Sequence, residues 1–501
     1  MNSNKRVDLV LVNPANRNKI YQSLSNNLSA IEQPVWAGLM ATFMGNKGFS
    51  VEIIDGSALG LSPEEIASQI AYLNPVLTAV VVYGHQPSAS TQVMPGASAV
   101  CRAIKEHTPQ QPVLLVGGHV AALPERTLRE EEADFVASGE GLYTMEGLVL
   151  ALKASETNYS KVPDLWYWDE ETIKKTFPAP LLRNLDQQMA GISWDLLPIE
   201  KYRAHNWHCF GDLQRQPYAA IYTTLGCPYH CSFCCIQTPF KSGEKARGYK
   251  ASVNSYRFWS PQAVIKEIDI LVNQYGVRNV KIADEMFVLN KRHVMGICDL
   301  IIERGYDLNI WAYTRVDTVK DGMIDKLKQA GVNWLAFGIE AASERVRDEV
   351  QKGVGQEDIF AVIKKVQDAG IYVIGNYIFG LPEDDHETMQ ETLDMALELN
   401  CEFGNFYSAM AYPGSDLYQT AIREGWALPE SWAGYSQHAV DTLPLPTKYL
   451  SAAEVLRFRD NAFQTYYNHQ PYLEMIRAKF GDETVAHITD MASHKLERKY
   501  V

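Results

Sequence analysis

Short apolar runs alternate with amphipathic stretches over most of the chain, and the rhythm changes once. In the first 150 residues the runs "VDLVLVNP" (7–14), "FSVEIIDG" (49–56), "TAVVVYG" (78–84), "PVLLVGG" (112–118) and "ADFVASGEG" (133–141) read as buried strands. Helical stretches separate them. One spans roughly Trp36 to Lys47 before Gly48, and another opens at Ser62 with Pro63 behind it. A serine cap followed by proline suits a helix entry, because the side chain accepts a backbone N–H and the ring presets φ. Apolar strands alternating with helices predict a doubly wound, Rossmann-like parallel sheet. Ligands of such sheets bind at the carboxyl ends of the strands, here "NPANRN", "DGSA", "YGHQPSAS" and "GGHVAALP".

Residues 151–216 read as a connector, with a candidate hairpin in "DLWYWDEETIKKTF" and an irregular Pro-containing strap after it. From Tyr218 the alternation resumes: "YAAIYTTL" (218–225), "RNVKIAD" (278–284), "NIWAYTR" (309–315), "NWLAFGIE" (333–340), "IYVIGNYIFG" (371–380) and "EFGNFYSAMAYP" (402–413). Between the first two, Ser260 caps a helix that starts at Pro261, lines one face with Ile265, Ile268, Leu271 and Val272, and stops at Gly276. Six βα units over 217–425 predict a full or partial (β/α)6 barrel, with active residues at the carboxyl ends of its strands. The tail, 426–501, mixes aromatics and charges at helical spacing and predicts a small helical region.

Composition narrows the field. The 501 residues carry a net charge of −14, which argues against a duplex nucleic acid partner. The N-terminal apolar run ends after six residues, and no other run approaches the length of a membrane span, so a cytoplasmic protein is expected. Eight cysteines in such a chain are no disulfide framework, and in a reducing compartment a tight cluster points to metal or redox work.

Such a cluster exists. "LGCPYHCSFCC" (225–235) holds Cys227, Cys231, Cys234 and Cys235 just after the first barrel strand. A loop lets thiolates converge, whereas a strand would splay them to opposite faces. Structural zinc wants four ligands, and the fourth would have to be Cys235, His230 or a distant group. Cys235 adjoins Cys234, so its side chain is expected to point elsewhere. Three thiolates from Cys227, Cys231 and Cys234 with one open position suit a [4Fe–4S] cluster better. Cys101, Cys209, Cys298 and Cys401 are scattered and read as small buried hydrophobes.

Cys227-x3-Cys231-x-Phe233-Cys234 on the first strand–loop of a βα barrel resembles the radical SAM superfamily. The later segments "IADE" (282–285), "WAYTRVD" (311–317), "FGIEAASERV" (337–346), "IFGLPEDDHET" (378–388) and "AYPGSDLY" (411–418) resemble that superfamily's strand-end loops in order. With "GGHVAALPE" and "DFVASGEG" in a doubly wound domain ahead of the barrel, the chain resembles the cobalamin-binding subclass. The resemblance implies that S-adenosylmethionine (SAM) chelates the open iron and is cleaved to a radical that abstracts hydrogen from an unactivated carbon. It assigns the SAM ammonium to Asp284 or Glu285, with Glu285 favoured, the SAM carboxylate to Arg315, ribose contacts to Glu340, close backbone approach to Gly338 and an adenine contact to Phe233. The Asp-x-His-x-x-Gly loop that ligates cobalt in some relatives is absent, which leaves the lower axial ligand open. His85 or Gln86 is the candidate for that face, and Gly117–Gly118 for the corrin tail; each also reads as ordinary loop polarity or a plain turn. No catalytic acid or base is assigned.

The reading that follows is a cobalamin-dependent methyltransferase acting on a small molecule, with a flavodoxin- or ferredoxin-like reductant and neither nucleic acid nor membrane as partner. An anaerobic oxidative cyclase or rearrangement enzyme of the same architecture is the alternative, and an iron–sulfur electron carrier a third. Methylthiolation is disfavoured, since no additional cysteine trio or basic tail is present. Trp207, Trp259, Trp311 and Trp334 are candidate aromatic walls.

Overall fold

The computed structural model describes residues 7–15, 22, 29–212, 214–236, 238–239, 256–320, 322–352 and 356–501, the side chains of 356 and 357 apart. Two parallel sheets organise it. The first contains β1 (Leu9–Asn13), β2 (Val51–Asp55), β3 (Leu77–Val82), β4 (Val113–Gly117) and β5 (Phe135–Ala137), all parallel, in the order β2-β1-β3-β4-β5. The order reverses beside β1, as in a doubly wound fold. The β3 residues are buried throughout, which is why the run reads as continuous Leu and Val rather than an alternation. Ser62 caps the helix Pro63–Leu73 in a complete capping box with Glu65.

The candidate hairpin is real, but it is not a free-standing connector. Its strands β6 (Leu165–Asp169) and β7 (Thr172–Lys175) add antiparallel to β5 and bring the sheet to seven strands. An exposed β5 edge would leave its backbone groups unpaired, and β6 satisfies them.

The second sheet begins with β8 (Tyr218–Ile221). A short antiparallel pair, β9 (Thr224–Leu225) with β10 (Arg257–Phe258), stands apart from it. The sheet continues through β11 (Asn279–Ile282), β12 (Asn309–Thr314), β13 (Val332–Glu340), β14 (Tyr372–Phe379) and β15 (Phe403–Ser408). These six strands run parallel in chain order β8-β11-β12-β13-β14-β15, an open (β/α)6 barrel. The helix Pro261–Tyr275 has its Ser260 cap, and Gly276 closes it in the left-handed region.

An open barrel has two free edges, and other parts of the chain cover them. At β8, Gln33 Nε2 donates to the Ala220 carbonyl at 2.9 Å. At β15, the segment 437–472 supplies side chains to every second residue. Tyr472 Oη donates to Glu402 O (3.2 Å), and Tyr467 Oη bonds both Gly404 N and Gly404 O. Arg459 Nε donates to Phe406 O (2.7 Å), and the Gln437 amide bonds both Ser408 N and Ser408 O. The tail is helical as expected, in Ala452–Tyr467, Gln470–Phe480 and Asp482–Ser493.

Candidate functional site

The carboxyl ends of both sheets open onto one cavity of about 1030 Å³. From the first sheet it is lined by Asn13, Ser57 and the loop Tyr83–Ala89, and from the barrel by the cysteine loop, Glu285, Arg315 and Glu340.

The cysteine loop opens at Gly226, whose φ of +77° favours a residue without a Cβ. It is pinned on both sides, by Ser232 N donating to Val350 O and Leu417 N donating to Ser232 O. Asp284 anchors the strand before it: its carboxylate accepts from Thr223 N (2.6 Å), Thr224 N (3.0 Å) and the Thr223 hydroxyl. Asp284 is therefore a brace for the loop, and Glu285 is the carboxyl that lines the cavity. Burial raises the pKa of both, Asp284 to about 6 and Glu285 to about 8.

Cys227, Cys231 and Cys234 all line the cavity. Cys235 does so too, so the structure does not set it apart as the sequence suggests. Burial pushes the thiols of Cys227 and Cys235 up to about 12. It also raises Cys231, against which the nearby Lys352 and Arg315 charges act. Thiols so buried need a cation to hold them as thiolates, which suits a soft metal. Among the described residues no three His, Cys, Asp or Glu side chains already stand grouped as a metal site. Donor type and shared cavity wall fit an iron–sulfur cluster.

The other candidates gather around the loop. Phe233 packs between two small apolar clusters and faces the cavity. Arg315 is buried, its guanidinium 4.0 Å over the Tyr229 ring. Its Nε and Nη2 already hold Asp317 at 2.9 and 3.1 Å, and Nη2 also reaches Lys352 O at 2.8 Å. Among the described residues Nη1 is left buried without a partner, so a contact through one nitrogen rather than a bidentate pair remains for a ligand. Glu340 sits at φ +68° beyond a register shift in β13, and Lys352 Nζ meets its carboxylate at 2.7 Å. A Cβ at Gly338 would lie 2.6 Å from Glu340 Oε1 and 2.8 Å from Lys352 Nζ. The glycine thus makes room for that ion pair. Lys352 was not legible from motif spacing, because it arrives from the turn after the helix Glu344–Glu349.

On the other sheet the candidates separate. His85 and Gln86 line the cavity but reach toward the barrel side. His85 Nε2 lies 2.6 Å from Gln33 O, while Nδ1 faces Glu32 Oε1 at 3.1 Å without a hydrogen bond among the described residues; Gln86 Nε2 donates to the Tyr313 hydroxyl. Gly117 allows β4 to approach β3, since a Cβ there would overlap the Val82 carbonyl, and its close approach is to backbone rather than ligand. Gly118 starts a helix beside Ser90 and lines a small adjoining pocket. In "GEG" (139–141), Glu140 is held by Arg257 and Leu182 N. Trp36, which the sequence offers only as a helix residue, stacks on Tyr83 at 4.4 Å and forms part of the wall. Trp207 and Trp311 line the cavity, Trp334 lies buried behind Trp207 at 5.6 Å, and Trp259 is core, its Nε1 donating to Met189 O.

Comparison with known proteins places these features. The Radical SAM superfamily profile matches residues 221–396 and the B12 binding domain profile residues 23–149. A protein described as an uncharacterized methyltransferase from Pyrococcus horikoshii is 29% identical over 418 residues, covering 83% of this chain and 84% of that one. The anaerobic magnesium-protoporphyrin IX monomethyl ester cyclase of Rubrivivax gelatinosus is 26% identical, covering 80% and 68%. The solved structure of the radical S-adenosylmethionine methyltransferase TsrM from Kitasatospora setae, with cobalamin and a [4Fe–4S] cluster bound, superposes with TM-score 0.67 at 16% identity, covering 93% and 90%. The two matched domains imply a [4Fe–4S] cluster, SAM and cobalamin as cofactors. The chain belongs to the radical SAM superfamily, in the branch that carries a B12 binding domain ahead of its barrel.

Proposed function

We propose that the protein is a cobalamin-dependent methyltransferase that methylates an unactivated carbon of a small molecule. The observation that carries this reading is the single cavity shared by the cysteine loop and the carboxyl ends of the first sheet, which lets two cofactors face one substrate. Cys227, Cys231 and Cys234 would hold the cluster, and the loop Tyr83–Ala89 with Trp36 would meet the corrinoid. When bound, the cluster supplies the electron that cleaves SAM and the corrinoid relays the methyl group.

The chain's own residues bind, orient and exclude water. Glu285 accepts from the SAM ammonium, Arg315 Nη1 donates to its carboxylate, and Phe233 packs on the adenine. Glu340, aimed by Lys352, accepts from the ribose hydroxyls. With His85 Nε2 held at Gln33 O and Nδ1 turned to Glu32, a corrinoid held by shape is favoured over a protein ligand to cobalt. Residues 1–150 with the hairpin are the corrin-side unit, 151–216 otherwise the connector, 217–425 the SAM-side unit and 426–501 the covering tail.

Among the described residues no helix is long and apolar enough to cross a membrane. The described cysteines are all free thiols, which favours the cytoplasm and a flavodoxin- or ferredoxin-like donor there. The cyclase relatives support the alternative of oxidative cyclisation. Anaerobic turnover of the reconstituted protein with SAM, reductant and candidate metabolites separates the two by product mass. A gain of one CH2 unit is expected; a product that loses hydrogen without gaining carbon overturns methyl transfer.

A further inference from the structure

The cavity reaches past the cofactor residues to the far edge of the barrel. There it is lined by Asn405 and Tyr407 of β15 and by His438, Arg459 and Asp460 of the covering tail. The rest of β15 is buried, and these two half-buried residues flank Phe406. Arg459 reaches the strand between them, its Nε donating to Phe406 O at 2.7 Å.

Capping that carbonyl does not require a charge. Tyr472, Tyr467 and Gln437 cap neighbouring groups of the same edge with neutral hydroxyls and an amide. Arg459 brings a positive charge on a side chain that is 6% exposed. Its Nη1 donates to Asp460 Oδ1 at 2.8 Å. Arg498 grips the same carboxylate more fully, with Nε to Oδ2 at 2.9 Å and Nη2 to Oδ1 at 2.8 Å. Arg498 is as deeply placed, at 5%, and it spends its other donors on Gln437 O, Ala439 O and the Thr442 hydroxyl. Two buried cations thus share one carboxylate, and the unspent donors are those of Arg459. Its Nη2 has no hydrogen bond among the described residues, yet unlike Arg315 Nη1 it is not closed off.

The other charges of the cavity do not balance it. Burial and the two guanidiniums hold His438 down to about 3, so it is neutral near pH 7. Lys495 adds a cation at the exposed rim, and His494 faces Asp490 at 3.9 Å. Glu32 and Glu340 have their own cations, Lys281 and Lys352, each at 2.7 Å, and burial raises Glu285 to about 8. A buried charge without a counter-ion is costly, and an anion arriving through the cavity relieves that cost. The Nη edge of a guanidinium matches the paired oxygens of a carboxylate or phosphate. On the proposed function the SAM carboxylate meets Arg315 at the end of β12, three strands from β15.

We propose that Arg459 is the receptor for an acid group of the substrate, a carboxylate or phosphate on the end remote from the cofactors. This rests on the reading that the ends of β11 to β13 hold SAM. β15 lies two strands from β13, so the acid group sits roughly 10 Å from the Gly338–Glu340 end at about 4.8 Å per strand.

Four fragments test the receptor without turnover: benzoate, phenyl phosphate, benzamide and benzylamine. They are compared by saturation-transfer NMR on the full chain reconstituted with cluster and corrinoid and saturated with SAM, so that Arg315 is occupied. At least one oxyanion should bind about tenfold tighter than benzamide and benzylamine. Arg459→Gln keeps a donor for Phe406 O and removes the charge, and it should bring the oxyanion down to the level of benzamide. Asp460→Asn removes the competing carboxylate and should tighten the oxyanion several-fold, a direction that damage to the fold would not produce. Iron, SAM and corrinoid content should match wild type in both variants. No oxyanion preference in the wild-type chain, no oxyanion signal at about 10 mM, an undiminished preference in Arg459→Gln, or no gain in Asp460→Asn overturns the receptor. Loss of corrinoid in Arg459→Gln also overturns it, by giving the charge to the corrinoid's own phosphate. Failure of methyl transfer with these fragment results intact would instead sink the proposed function.

Discussion

The two sets of strand ends that share the cavity are chemically unlike. The barrel's ends carry thiols, two carboxyls, an arginine and a lysine, most of them buried and held by one another. The first sheet's ends carry Asn13, Ser57 and the loop from Tyr83, with an aromatic stack as their main feature. Charge placed in a buried site is justified by a charged ligand, whereas neutral polar and aromatic walls suit a large, flat one. On the proposed reading, one side takes a metal cluster and the zwitterionic end of SAM, and the other a macrocycle held by shape.

The sharpest way to break this comparison is to remove thiols. Cys227→Ala, Cys231→Ala and Cys234→Ala should each abolish incorporation of roughly four irons per chain, measured by iron assay after anaerobic reconstitution, while gel-filtered protein keeps its corrin absorbance. Cys235→Ala should keep both. Because all four cysteines reach the cavity, loss of iron in Cys235→Ala with retention in Cys234→Ala would reassign the trio. Loss of corrinoid in every thiol variant would show that the two sides are not separable.

Next in size are the strand-end charges. Arg315→Ala removes the guanidinium nitrogen that has no partner among the described residues and should weaken SAM binding by about 1.5–3 kcal/mol, or ten- to a hundredfold by calorimetry. Glu340→Gln should cost less, since the amide still offers an acceptor. Iron and corrin content should not move. Unchanged affinity in both would make Arg315–Asp317 and Glu340–Lys352 ordinary ion pairs and erase the contrast.

On the other side, Trp36→Ala should remove a stacking contact worth about 0.5–1.5 kcal/mol and loosen corrinoid retention by a few-fold, with iron and SAM binding spared. An effect on SAM rather than on corrinoid would invert the assignment of the two walls.

The smallest effect sharpens the electrostatics. Burial raises Glu285 to about 8, above the usual carboxyl range. The folded chain then holds a proton that the unfolded chain releases near 4.5, so this group's contribution to stability falls as pH rises from about 4.5 to 8. Glu285→Gln should therefore gain in melting temperature relative to wild type as pH is raised through that window, in protein without bound cofactors. A pH-independent difference would mean that Glu285 is already ionised.

Both sheets were legible in the sequence because buried parallel strands write continuous apolar runs, and the Ser62–Pro63 and Ser260–Pro261 signals mark helix starts as the structure has them. The cysteine loop was legible because spacing within nine residues survives folding unchanged. What spacing does not carry is pairing across the chain. Asp284 and Glu285 are neighbours, yet one braces a loop and the other lines the cavity, and only the backbone positions of Thr223 and Thr224 decide which. Glu32 and Lys281 are 249 residues apart and meet only in the folded lumen. Their one local signal was a lysine between Val280 and Ile282 in the buried strand "NVKI".

The ladder of side chains along β15 has a consequence for the life of the chain in a crowded solution. Tyr472, Tyr467, Arg459 and Gln437 occupy the backbone groups that a neighbouring strand would otherwise seize. They act as a counterfeit strand that offers no edge of its own. A chain cut before Ala452 would keep its cysteine loop and both sheets, yet bare the β15 edge along 402–406. Such an edge is a template for a second molecule. Truncation there should yield insoluble or filamentous material, so the last fifty residues serve as the barrel's guard against its own kind.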